Sequence, residues 1–131
     1  GAIGGFNGIV FDDDTAMTLS TAADDVTNSN WEFDFTDRAD TLSATSFLTW
    51  SGANFENNTI KVSFTDETQA KAGWNIATVA EAFTGTTFDV EVGSTEITGL
   101  AYDTAISGTG TAYDGWGFGL ESGVLKFKQL A

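Results

Sequence analysis

Acidic side chains are the most abundant groups capable of chemistry in this 131-residue chain. Nineteen Asp and Glu residues stand against five Lys and Arg residues, and the net charge is −14. The densest cluster is Asp12-Asp13-Asp14. Hard cations such as calcium take carboxylate and carbonyl oxygens as ligands, so this cluster is a candidate cation site.

The residues around this cluster do not follow the EF-hand pattern. A loop of that kind beginning at Asp12 needs Gly at its sixth position and Glu at its twelfth, whereas the chain has Met17 and Ala23 there. A solvated acidic loop is therefore the preferred interpretation. Calcium binding at Asp12, Asp13 and Asp14 is the alternative.

Groups for acid–base or nucleophilic catalysis are scarce, because the chain has no His and no Cys. Paired carboxylates hydrolyse glycosidic bonds when a cleft holds them about 5–9 Å apart, but nineteen acidic residues make chance pairs inevitable. Pairs such as Glu32/Asp34 alternate with apolar residues along predicted strands, where they face solvent. We therefore predict a protein that is not an enzyme, has no catalytic residues and has no cofactor apart from the calcium alternative.

Aromatic residues beside polar ones suggest sugar binding as a second kind of site. Trp50 and Tyr113 adjoin the turn-forming pairs Ser51-Gly52 and Asp114-Gly115, and this favours exposed rings. A carbohydrate-binding site built from Trp50, Tyr113 and Asp114 is one hypothesis. The other interpretation is that the rings fill the core, as we expect for Trp31 and Trp116.

The net charge of −14 argues against nucleic acid as a partner, because such binding needs Lys and Arg to displace counterions. We also expect no membrane span, since no stretch approaches the length of about 20 apolar residues. The absence of Cys combined with fifteen Gly is typical of bacterial extracellular proteins. Host or bacterial surface glycans or proteins are the predicted partners.

Four segments alternate apolar and polar residues, the pattern of strands with one buried face. They begin at Trp31, Ile60, Phe88 and Trp116, which are 29, 28 and 28 residues apart. A fixed period of this size predicts stacked units, although regular spacing by chance is the alternative. If the strands stack in parallel, Glu32, Lys61 and Asp89 form one outward row of alternating charge.

The fold class predicted for residues 1–131 is a single all-β domain with one short helix. Ile76, Val79, Ala80 and Phe83 have helical spacing after a possible Asn75 N-cap, which predicts the helix at 75–83. A β-sandwich is preferred because alternation is regular and Gly-based turns are frequent. A β-solenoid fragment is the alternative, favoured by the 28-residue spacing.

Short motifs in residues 60–131 resemble the C-terminal modules of repetitive, adhesin-like or autotransporter-like bacterial surface proteins. The motifs are Trp74-Asn75-Ile76-Ala77, Phe83-Thr84-Gly85-Thr86, Gly115-Trp116-Gly117-Phe118 and Gly123-Val124-Leu125-Lys126-Phe127. The resemblance implies an extracellular or cell-surface location and a structural or adhesive role. The expected function is a non-catalytic structural or adhesive module, with a carbohydrate-binding module as the alternative.

Overall fold

The computed structural model describes residues 2–4, 9–11, 17–19, 25–36, 48–50, 55–79 and 83–131. In this part, the chain is almost entirely β-structure with one four-residue helix, α1 (Glu67–Ala70), and the all-β prediction is confirmed. The strands are β1 (Ala2–Gly4), β2 (Ile9–Phe11), β3 (Met17–Leu19), β4 (Asp25–Thr27), β5 (Asn30–Asp34), β6 (Leu48–Trp50), β7 (Phe55–Glu56), β8 (Thr59–Phe64), β9 (Ala77–Val79), β10 (Phe83–Thr84), β11 (Thr87–Val92), β12 (Thr95–Ala101), β13 (Trp116–Glu121) and β14 (Val124–Gln129).

These strands form three sheets that the chain visits in rotation. Sheet I has the order β1-β4-β7-β10, sheet II the order β2-β5-β8-β11-β12, and sheet III the order β3-β6-β9-β14-β13. One pass through the three sheets makes a coil, and the next coil lies beside it in parallel. The coils therefore stack like the turns of a spring, with inter-strand hydrogen bonds along the stack.

The stacking register is the one that the sequence spacing predicted. Trp31 pairs with Ile60 and Ile60 with Phe88, which are steps of 29 and 28 residues. Sheet I repeats the step of 28 between Phe55 and Phe83. Trp116 does not continue this series, because β13 lies antiparallel to β14 in sheet III.

Antiparallel pairing occurs at the C-terminal end of the stack. β12 folds back on β11, and β14 runs antiparallel to both β9 and β13. The predicted hairpin at Ser122-Gly123 is confirmed, and φ values of 52° and 80° there suit the right-handed twist of the flanking strands. Parallel coils are the strand direction expected of the solenoid alternative, while sheet faces packed over one core are common to both predicted architectures.

The core is built from inward-facing aromatic and aliphatic side chains. Along β5 and the residue after it, Trp31, Phe33 and Phe35 are at most 2% exposed, as their alternation with acidic residues predicted. Phe35 stacks on Phe64 with ring centroids 5.2 Å apart, and Phe88 stacks on Phe118 at 4.7 Å. Stacked pairs of this kind stabilise by about 0.5–1.5 kcal/mol beyond the area they bury, so they tie adjacent coils and the end hairpin to one core.

The helix predicted at 75–83 is wrong. Residues 77–79 form β9, which lies between β6 and β14, and Phe83 begins β10. Ile76 and Val79 are buried as expected, but in extended backbone, because pairing with strands on both sides outweighs a short helical pattern.

The short helix instead follows β8, where its capping signal is visible in the sequence. Asp66 is the N-cap, and its carboxylate accepts a hydrogen bond from the Gln69 backbone N–H at 2.9 Å. The Gln69 side chain accepts one from Thr65 N–H and donates another to the Phe35 carbonyl. Asp followed by Gln three residues later is a capping pattern, so the helix starts at Glu67.

A polar corner joins sheet I to sheet II in three successive coils. Its first position has left-handed backbone in each coil, with φ of 51°, 55° and 64° at Asn28, Asn57 and Gly85. Asn and Gly tolerate this conformation best. Its second position is a buried polar residue in each coil: Ser29, Asn58 and Thr86.

Hydrogen bonds connect these corners from coil to coil. The Asn58 side-chain oxygen accepts from Ser29 N–H at 2.9 Å, and Thr59 N–H donates to the Ser29 carbonyl at 2.9 Å. On the other side, Asn58 N–H donates to the Thr86 hydroxyl at 3.4 Å. Because buried polar groups need partners, this corner fixes the spacing between coils.

Replacing Asn58 with Ala removes the acceptor of the buried Ser29 N–H. We expect N58A to lower the free energy of unfolding by about 1–3 kcal/mol, measured by urea denaturation. N57G serves as the matched control, because Gly adopts the left-handed backbone of Asn57 and this residue is exposed. Equal stability of N58A and N57G would contradict the role of the corner.

Candidate functional site

Two of the predicted sites fall wholly or partly on residues that the structure does not describe. Asp12, Asp13 and Asp14 lie outside the described residues, so calcium binding there stays a prediction. Trp50 ends β6, where it pairs with Leu19 and Val79, but its side chain is outside the described part.

Tyr113 is not the exposed ring that the sequence suggested. It is 7% exposed and packs against Phe127, with ring centroids 6.3 Å apart. Burial raises the pKa of its hydroxyl, and the negative charges of Glu67 and Asp66 raise it further. The adjacent Gly115 does form an irregular turn, but Tyr113 turns inward because an aromatic ring gains more from the core than from water.

Asp114 is exposed as expected, but its carboxylate is engaged by its own loop. One oxygen accepts from the N–H and hydroxyl of Thr109, and the other accepts from Gly110 N–H at 2.9 Å. The Thr109 hydroxyl, followed by these backbone groups, holds the pKa of Asp114 below its ordinary value. The structure therefore does not present Tyr113 and Asp114 together as a sugar platform.

A cluster of mixed chemistry surrounds the Lys71 ammonium. Its Nζ lies 5.1 Å from the Trp116 ring centroid, 5.8 Å from that of Tyr113 and 3.4 Å from Glu67 Oε2. Trp116, predicted to be a core residue, is only half-buried and rests on Phe127. The ammonium covers the accessible side of these rings, so this cluster fastens the segment after β8 to the end hairpin.

The outward side of sheet II carries the largest group of charges in the described part of the chain. We call this surface the acidic face and define it by the outward side chains of Glu32, Asp34, Lys61, Asp89, Glu91 and Glu96. Glu32 pairs in register with Lys61, and Lys61 with Asp89, so the predicted row of alternating charge is confirmed. Parallel neighbours place these charges about 4.8 Å apart across the sheet.

Lys61 is the one cation of the acidic face. Its ammonium lies 3.3 Å from Glu91 Oε2 and 3.9 Å from Glu32 Oε1. Burial lowers the pKa of Lys61, but the hydrogen bond to Glu91 and the charges of Glu91, Glu32 and Glu96 outweigh it, and the net shift is upward. The diagonal partner Glu91 was missed from sequence, although the two-residue side-chain period of a strand identifies it as a neighbour on this face.

Asp89 has a structural role on this face. Its carboxylate accepts a hydrogen bond from Gly99 N–H at 2.9 Å, at the point where the register between β11 and β12 shifts by one residue. Gly99 has a φ of 68°, which side chains other than Gly seldom tolerate. The carboxylate thus holds a β-bulge in place, and this role has no signal in the sequence.

The chemistry available to the acidic face is electrostatic attraction of cationic groups. Within the described ranges, no three acidic side chains converge in a way that could hold a metal ion. The carboxylates are instead spread over a flat sheet surface, with Lys61 neutralising part of the field. Such a surface favours an extended, positively charged partner over a small ion.

Comparisons with known proteins leave the family open. No family model matches the chain, and neither the curated proteins nor the solved structures gave a match. Among the described residues, no helix has the length and apolar character needed to cross a membrane.

Reversing the charge of Lys61 tests the electrostatics of the acidic face. We expect K61E to destabilise the protein by about 1 kcal/mol at pH 7 and low salt, because it places one more carboxylate among several. The loss should shrink in high salt, and also near pH 3, where carboxylates are protonated. Thermal unfolding across these conditions measures it.

The control for this variant is K128E, on β14. Among the described residues, no carboxylate forms a salt bridge with Lys128, so its reversal should cost less than that of Lys61. The raised pKa of Lys61 also fixes a sign at high pH. Its stabilising contribution is complete below the ordinary pKa of 10.5 and is lost as pH rises through the folded-state value. Equal losses in K61E and K128E at every pH would contradict this account.

Proposed function

We propose that this chain is a non-catalytic structural or adhesive module of an extracellular bacterial surface protein. The observation that supports the proposal best is the parallel stack of coils at a step of 28–29 residues, closed at one end by antiparallel strands. Stacked coils form an elongated, rigid body whose stability is built from contacts between neighbours. Such a body suits a spacer or a display surface better than it suits a catalytic pocket.

The repeated corner supports the view that the chain is a repeat protein. Asn28, Asn57 and Gly85 occupy equivalent backbone positions, and each is followed by a buried polar residue. Units of this kind extend by adding further coils of the same length, because each coil requires only its neighbours.

The extracellular location is supported by composition and by the resemblance of the motifs in residues 60–131. A net charge of −14 keeps an elongated protein soluble and prevents self-association through repulsion. The absence of Cys and the fifteen Gly residues are typical of bacterial surface modules of the adhesin-like or autotransporter-like kind.

A carbohydrate-binding module is the weaker candidate. Of its predicted residues, Tyr113 is buried and Asp114 is bound to its own loop. The half-buried Trp116 ring is covered on one side by the Lys71 ammonium. These contacts give sugar binding less support than the structural role has.

Antibody labelling of intact cells tests the proposal. Antibodies raised against the folded chain should label intact cells of the source organism, and brief protease treatment of those cells should remove the signal. A cytoplasmic marker protein from the same cells serves as the control for integrity. Labelling that appears only after permeabilisation would contradict an extracellular role.

A further inference from the structure

The last strand of sheet II presents an open edge at the end of the stack. β12 is the terminal strand of the sheet and pairs with β11 on one side. Within the described residues, no strand pairs with its other side. At seven residues, it is longer than the other described strands, so it offers a long row of backbone donors and acceptors.

The neighbouring sheet ends differently. The outer edge of β13 is covered by the segment before it, because Asp103 N–H donates to the Phe118 carbonyl at 2.8 Å and Ile106 N–H donates to the Trp116 carbonyl at 2.7 Å. The chain thus closes the edge of sheet III with its own backbone but leaves that of β12 open. An edge left open beside one that is closed is a candidate interaction site.

The backbone of β12 is oriented for pairing near Glu96. A two-residue turn at Gly93-Ser94 makes Val92 and Thr95 the hydrogen-bonded pair of the hairpin. The next pair, Glu91 and Glu96, is then of the non-hydrogen-bonded type, so the N–H and C=O of Glu96 point away from β11. The bulge begins only at Thr98-Gly99, which leaves 95–97 as regular edge.

The side chains of β12 show what an added strand should carry. Ile97 and Leu100 pack against the core but remain half-buried, so a neighbouring strand would complete their burial with apolar side chains. On the opposite side, exposed Glu96 lies across from Glu91 on the acidic face. Two carboxylates facing each other favour cationic side chains on the added strand.

We propose that the edge of β12 binds an extended segment whose side chains alternate between basic and apolar, which joins sheet II as a further strand. A second copy of this chain is a poor occupant, because antiparallel pairing of two β12 edges adds the carboxylates of Glu96 to those of a chain with net charge −14. The inference goes beyond the proposed structural role and does not depend on the cell-surface location.

Titration calorimetry with the intact chain tests the proposal. The probe is an end-blocked heptapeptide of alternating Lys and Val, and the comparison probes replace Lys with Glu or carry N-methyl groups on alternate amides. We expect the Lys-Val peptide to bind with micromolar to millimolar affinity at low salt and the other two to bind at least about tenfold more weakly. Hydrogen exchange should show new protection at the Glu96 amide when the Lys-Val peptide is bound.

Two variants with the same change of charge locate the site. E96K should weaken binding of the Lys-Val peptide about tenfold, whereas E121K, on the exposed end of β13, should change it less than about twofold. E96Q gives an intermediate loss and replaces E96K if that variant does not fold. Equal binding of the N-methylated peptide, equal effects of E96K and E121K, or a dimer of the free chain that buries β12 would each overturn the proposal.

Discussion

Every sheet of this protein depends on one constraint, the parallel pairing of each coil with the next at a nearly fixed number of residues. When Trp31 stands beside Ile60 and Ile60 beside Phe88, inward positions meet inward positions in every coil. A slip of one residue would turn the rings toward water and the carboxylates toward the core. The apolar core and the acidic face are therefore two consequences of the same register.

The polar corner and the terminal hairpins protect this register in different ways. Asn58 and its neighbours fix the distance between coils through buried hydrogen bonds, which are costly to leave unmade. At the end of the stack, Phe118 reaches from β13 to stack on Phe88 of the last parallel strand. The antiparallel strands thus bury the core end that a further parallel coil would otherwise cover.

Much of this arrangement was predictable from the sequence, for identifiable reasons. The alternation at Trp31–Phe35 predicts which face is buried, and the spacing of 29 and 28 residues predicts the row of Glu32, Lys61 and Asp89, because both follow from the two-residue period of a strand. The segment at 75–83 was wrong because its strands are imposed by β6 and β14, which are distant in sequence. Trp116 continued the spacing but belongs to another sheet.

The candidate site was less predictable than the fold. Tyr113 looked exposed because it adjoins turn residues, yet the turn directs its ring onto Phe127. The contacts of Lys71 with Trp116 and of Asp89 with Gly99 join segments whose proximity depends on the whole topology. Local patterns predict which face a residue occupies, whereas the partner of that residue depends on which strands meet.

Pairs of introduced cysteines test the parallel register most directly, because the chain has no Cys of its own. In the parallel register, Asn30 lies beside Thr59 and Asp34 beside Ser63. Neighbours about 4.8 Å apart are within reach of a disulfide. Mild oxidation followed by mass spectrometry should therefore show cross-links in N30C/T59C and in D34C/S63C, and none in N30C/S63C. Antiparallel strands would instead cross-link N30C/S63C, and that result would contradict the stacked coil.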